Sequence, residues 1–180
     1  MKNILLSSLI ILSLYSCNGS ATNSPSKETV NKESFINQEA KEEHIKKAVK
    51  ESTEAFSAHN AAAAAKDFAP DFLDYGDGSQ PPVKGVDKFI ASTGEFFKIF
   101  PDMKGENLHY VADGNWGVVW GDWSATWTND FMGQKPTGKK FKVPAADFFK
   151  FNEAGKIIEH RGIISFREIA KQIGLKLPDS

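Results

Sequence analysis

From Lys140 to Asn152 the chain alternates, so that Phe141, Val143, Ala145, Asp147, Phe149 and Phe151 fall on one face of a strand. One member of this apolar row is an acid. A carboxylate so placed has to be hydrogen-bonded, paired, neutral or set against a wet cavity, and each environment retunes its acidity. Asp147 is therefore a candidate general base. Glu159, Arg161 and Ser165 share one strand parity if no bulge intervenes. Arg161 could pair an acid or a ligand carboxylate, and Glu159 could serve as a second base. The same groups could equally form an ion pair that only bridges two strands. Tyr75, next to Asp74, carries a phenol that could polarise a substrate carbonyl, or it could simply pack at a cavity wall. His160 alternates with Arg161 and is expected to face away from it, at the surface.

Other chemistries find less support. Four scattered His and a single Cys leave no set of ligands at metal spacing, so no metal is expected. Gly133 to Lys139 fits the opening of a phosphate-binding loop, but Lys140 follows where Ser or Thr would hold the metal. The segment also joins two strands instead of a strand and a helix. No cofactor is expected. A net charge of -1 argues against nucleic acid as a partner.

The elements that position these residues follow from periodicity. Ile45, Ala48, Val49, Ser52 and Phe56 mark one face of a first helix. Ala61 to Phe68 adds a short second helix, and Pro70 follows. Asp87 to Phe100 places Phe89, Ile90, Thr93, Phe96, Phe97 and Phe100 at helical spacing, stopped at Pro101. The texture then changes to Val, Ile, Trp, Phe and Thr in four segments: 107–112, 117–128, 140–152 and 156–165. Turn signals at Asp113-Gly114-Asn115, Gly133–Gly138 and Glu153-Ala154-Gly155 separate them. Four strands with short turns predict an antiparallel meander. A last helix runs from Phe166 to Gly174. Helices followed by a sheet give an α+β class. Among the Trp residues, Trp116 and Trp120 share one face of their strand, and Trp123 and Trp127 share the other. Fourteen Phe and four Trp suffice to fill a core and also to line an apolar pocket.

The N-terminal end reads as an address. Lys2 precedes an apolar run, Ile4 to Leu14, that is too short to cross a bilayer of about 30 Å and matches a signal peptide. Leu14-Tyr15-Ser16-Cys17 resembles the lipobox of bacterial lipoproteins, which implies acylation of Cys17 and localisation in the cell envelope, anchored to a membrane. Residues 1–16 are then the lipoprotein signal peptide, 17–38 a disordered polar tether, and 39–180 the folded domain.

Within that domain several motifs occur in a familiar order: Phe68-Ala69-Pro70-Asp71-Phe72, Phe100-Pro101-Asp102-Met103, Phe131-Met132-Gly133 running into Lys135-Pro136-Thr137-Gly138-Lys139, Gly155-Lys156-Ile157-Ile158-Glu159, and Gln172-Ile173-Gly174. Together they resemble the SnoaL-like polyketide cyclases of the nuclear transport factor 2-like superfamily. The resemblance implies a cystatin-like α+β barrel: a curved antiparallel sheet packed with three helices around a cone-shaped apolar pocket, often as a homodimer. If the family's inward direction holds, Glu159, Arg161 and Ser165 face that pocket beside Asp147, and Asp74-Tyr75 lies at its mouth. Arg161, Trp127, Trp123, Phe97 and Ser165 are then the candidate ligand contacts, and Asp147, Tyr75 and Glu159 the candidate catalytic groups. The family's usual proton handlers are replaced at their matched places, by Ser165, Trp127 and Tyr75. Three readings follow: a lipid-anchored domain binding a small hydrophobic or amphipathic molecule, an enzyme of the same fold moving a proton, or an envelope module acting through a dimer face.

Overall fold

The computed structural model describes residues 27–177. The signal segment, Cys17 and the first part of the tether lie outside the described residues. Helix α1 (Lys27–Ser57) and the short α2 (Ala61–Ala64) lead into strand β1 (Phe68–Asp74). Strand β2 (Val83–Lys84) and helix α3 (Val86–Ile99) follow. Strands β3 (Lys104–Asp113), β4 (Trp116–Thr126), β5 (Lys140–Phe151) and β6 (Ile157–Ile164) form the meander, and α4 (Phe166–Ile173) closes the domain. The sheet order is β2-β1-β6-β5-β4-β3.

The four-strand antiparallel meander is as expected. The complete sheet is mixed, because β1 runs parallel to β6. Among the described residues it carries four helices where the resemblance implies three. The tether also needs correction: residues 27–38 belong to α1. Lys, Glu and Gln in this segment are good helix formers, and a helix already docked over residues 45–56 extends without a new nucleation cost.

All four helices pack on one face of the curved sheet, and their apolar stripes divide into two clusters. In one, Ile45 and Val49 of α1 and Phe89 of α3 meet Phe68, Phe72, Val119, Phe149, Phe151 and Ile157. In the other, Ile169, Ala170 and Ile173 of α4 meet Trp123, Ala125, Trp127, Phe141 and Val143, with Phe100 and Met103. Gly117 fixes how closely α1 approaches: a Cβ there would lie 2.7 Å from methyl carbons of both Ile45 and Val49. Among the described residues the opposite face carries no helix, and Val111, Trp120 and Ile163 are exposed.

Candidate functional site

The seam between the two clusters is a hollow of about 670 Å³, counted with the space at its open mouth. Phe68, Phe89 and Phe149 border it from the first cluster, Met103 and Trp123 from the second, and Phe56 reaches in from α1. Ala145 lines the hollow with a small side chain, while its register partner Gly121 is covered by Leu108 and by the backbone of Glu106 and Asn107. The polar lining of the hollow is sparse: Ser52, Thr53, Asp147 and His160, plus the indole of Trp123.

Asp147 projects from β5 in the same row as Val143, Ala145 and Phe149, and lines the hollow. Its Oδ1 lies 3.1 Å from Nε2 of His160, whose Nδ1 lies 2.8 Å from Oδ1 of Asp74. A carboxylate only accepts, so both ring nitrogens must donate and the ring is an imidazolium. Burial alone would push His160 down, but the hydrogen bonds and charges of Asp147 and Asp74 outweigh it and hold the ring at a pKa of about 9. Burial likewise pushes Asp74 up, and the His160 hydrogen bond and charge, with the Gly76 N–H, overcome it and leave Asp74 below its usual range. Phe149 stacks on the imidazole with ring centroids 4.9 Å apart, fixing its plane.

The backbone brings the three groups together. Asp74 ends β1 and is in register with His160 on the parallel β6. The Tyr75 N–H donates to the His160 carbonyl at 3.0 Å, and the Gly162 N–H donates to the Gly76 carbonyl at 2.7 Å. Gly76 turns the chain at φ +51°, where a side chain would be strained. Gly162 pairs with Asp147 across β5 and β6, and the Asp147 Oδ1 lies 3.4 Å from where a Cβ on Gly162 would stand.

His160 is thus inward, against the expectation that it faces the surface. A β-bulge is the reason. Phe151 pairs with Ile157, yet Lys150 pairs with Glu159, leaving Ile158 as an extra residue. One extra residue exchanges the faces of everything beyond it. His160, Gly162 and Ile164 therefore turn inward with Phe149, Asp147 and Ala145. Arg161 turns outward, where its guanidinium lies 4.0 Å over the Tyr75 ring and its Nε donates to Glu159 at 2.6 Å. Arg161, Glu159 and Tyr75 form a group outside the hollow.

The remaining expected contacts divide similarly. Trp123 lines the hollow. Trp127 is buried in the cluster around α4, beyond the end of β4. Phe97 packs behind the pocket wall, against Phe56 and His59. Ser165 lies past the end of β6, where its hydroxyl accepts from the Glu168 N–H and caps α4. Asp74, placed at the pocket mouth but given no role by the sequence, and His160, expected at the surface, complete the site. Their only sequence signal is the doubled Ile157-Ile158 at the strand start, which breaks a clean alternation.

Comparison with known proteins bears on the fold that holds this site. AclR, a candidate hydroxylase from Streptomyces galilaeus, superposes with a TM-score of 0.63 at 25% identity, over 74% of this chain and 97% of that one. A candidate polyketide cyclase from Xanthomonas campestris pv. campestris gives 0.69 at 15% identity, over 74% and 98%. IdmH, a candidate polyketide cyclase from Streptomyces antibioticus, gives 0.61 at 22% identity, over 72% and 98%. The last two likenesses speak to the fold alone. No curated protein gives a significant match. The family model for SnoaL-like polyketide cyclases matches residues 46–173, a span running from the first helix to the last and enclosing the whole hollow. The chain belongs to the SnoaL-like polyketide cyclase family.

Proposed function

We propose that the domain is a proton-transfer enzyme acting on a small, mostly apolar organic molecule. The observation that carries this reading is a carboxylate, Asp147, set on the wall of an apolar hollow and held by an imidazolium that a second carboxylate braces. Binding without chemistry would require only the greasy walls. A buried Asp-His-Asp chain is costly to assemble, because each charge must be fully paired, and proton transfer makes use of it.

In this reading Asp147 removes a proton from an acidic C–H or O–H of the bound molecule and becomes the neutral acid. It then returns the proton at a second position, so isomerisation or ring closure proceeds with no net proton change. His160 orients Asp147. Asp74 offsets the His160 charge, which would otherwise weaken Asp147 as a base. The apolar walls exclude water and strengthen these interactions. The usual family positions take no part, since Ser165 caps a helix and Trp127 is core.

The test is deuterium exchange. In heavy water, the protein should speed deuterium incorporation next to the carbonyl of aromatic ketones that bind it, with 1-tetralone as a first probe, followed by NMR. If every ketone that binds exchanges no faster than with the Asp147→Asn protein, the reading falls.

We propose in addition that Cys17 carries a lipid anchor that holds the domain at a membrane of the cell envelope. The support is the apolar run ending in Leu14-Tyr15-Ser16-Cys17, with this the chain's single Cys. Cys17→Ser should move the protein from the membrane fraction to the soluble one, and continued membrane retention would exclude the anchor.

A further inference from the structure

The register pair of Asp74 and His160 is fastened on both faces of the sheet. On the inner face the Asp74 carboxylate accepts from His160 Nδ1 at 2.8 Å. On the outer face the next residue along each segment makes a second contact, with the Arg161 guanidinium 4.0 Å over the Tyr75 ring. Arg161 Nε donates to Glu159 at 2.6 Å, which fixes the direction of the guanidinium.

This end of β1 has few other holds. Between the pairs Phe68–Ile157 and Leu73–Glu159 the register shifts: β1 advances five residues, 68 to 73, while β6 advances two, 157 to 159. The regular part of the parallel ladder is therefore short. It comprises Leu73 and Asp74, continued by the Tyr75 N–H and the Gly76 carbonyl. On its other edge β1 meets only the two residues of β2. Residues 77–82, which follow, are exposed. The Gly76 N–H also donates to Asp74 Oδ1 at 2.9 Å, but this local contact travels with the strand end. A short ladder that runs out into an exposed loop opens at low cost. A carboxylate displaced by about 1 Å loses its hydrogen bond.

We propose that Arg161 and Tyr75 are positioning residues: their stack on the outer face holds the end of β1 in the register that brings the Asp74 carboxylate to His160 on the inner face. A cation over an aromatic ring attracts it, and the flat guanidinium also packs against it. Both side chains point away from the hollow and act on it through the backbone. The effect on catalysis rests on the reading of Asp147 as the base.

The charged groups facing His160 are Asp74 from β1 and Asp147 from β5. The residues that α1 and α3 bring to the hollow, Ser52, Thr53, Phe56 and Phe89, are uncharged. Loosening Asp74 should therefore weaken the hold of His160 on its proton. Direct electrostatics gives the reverse for Arg161. Removing a nearby cation and leaving Glu159 unpaired would strengthen that hold. The sign of the change separates positioning from charge.

The experiment is an NMR titration of the full chain with labelled histidine, the His160 ring being identified by its proximity to the Phe149 ring. Tyr75→Leu and Arg161→Gln should each lower the His160 pKa from about 9 by roughly one pH unit. Arg161 is half exposed, so its substitution leaves the core intact. Tyr75→Phe keeps the ring face and should titrate like the parent. Any other pattern overturns the inference, including a lowered unfolding midpoint with an unmoved titration. Deuterium exchange on 1-tetralone should fall several-fold in the two lowering variants, and unchanged exchange there also overturns the positioning role. A parent protein that exchanges no ketone sinks the catalytic reading and leaves the titration to decide the clamp.

Discussion

Asp147→Asn is expected to lower deuterium exchange on a bound ketone by about 10²–10⁴-fold, the usual contribution of a positioned general base. The substitution keeps the shape of the side chain. The Asn Oδ1 can still accept from His160 Nε2, so the ring keeps its place between β1 and β5. Asp74 still pairs the imidazolium, and no buried charge is left alone. Stability should consequently change by only about 1 kcal/mol, and 1-tetralone should bind as before. The measurement is therefore a split: turnover falls by orders of magnitude while thermal unfolding and probe affinity stay near those of the parent. Parallel loss of both would mean that Asp147 holds the pocket together and does no chemistry. Asp147→Ala is the harsher control, because it also takes away the Nε2 partner of His160 and should unfold more readily.

How much of this site the sequence discloses depends on how local its causes are. Asp147 is legible because its neighbours at every second position are Phe, Val or Ala, and β5 carries no irregularity between Lys140 and Lys150. The same regularity makes the faces of Trp120 and Trp123 legible: the first is exposed and the second buried. His160 is not legible. Its direction depends on a single extra residue, Ile158, and strand period 2 turns that one-residue error into a reversal of every side chain beyond it. Arg161 and Glu159 are misplaced for that one reason. Asp74 is hidden by distance along the chain. Its pairing with β6 joins residues 86 positions apart, and a parallel contact of that kind leaves no trace in local periodicity. The mixed sheet escapes the sequence for the same reason, while the antiparallel meander, closed by short turns, does not.

His160→Gln should have the largest effect on stability, and the sign of its pH dependence identifies the cause. In the parent protein His160 has a folded pKa of about 9 against an ordinary 6.5. The folded state therefore holds a proton more tightly than the unfolded one. The stabilisation is complete below pH 6.5 and is lost as pH rises through about 9, about 3 kcal/mol in all. Asp74 acts in the opposite direction: its folded pKa is depressed, so its contribution is present above the ordinary carboxylate range and is lost as pH falls through the folded value. The parent should thus be most stable in mildly acidic solution. Glutamine can donate to one carboxylate but carries no charge, so Asp74 and Asp147 would face each other with no cation between them. Breaking a buried ionic set by removing one partner costs about 3–5 kcal/mol, and that loss should appear in urea unfolding at pH 7. The alkaline decline between pH 6.5 and 9 should vanish, since the group responsible is gone. A variant that loses the same stability at every pH would show that His160 acts through packing on Phe149, and that the Asp-His-Asp chain is not the electrostatic unit its geometry describes.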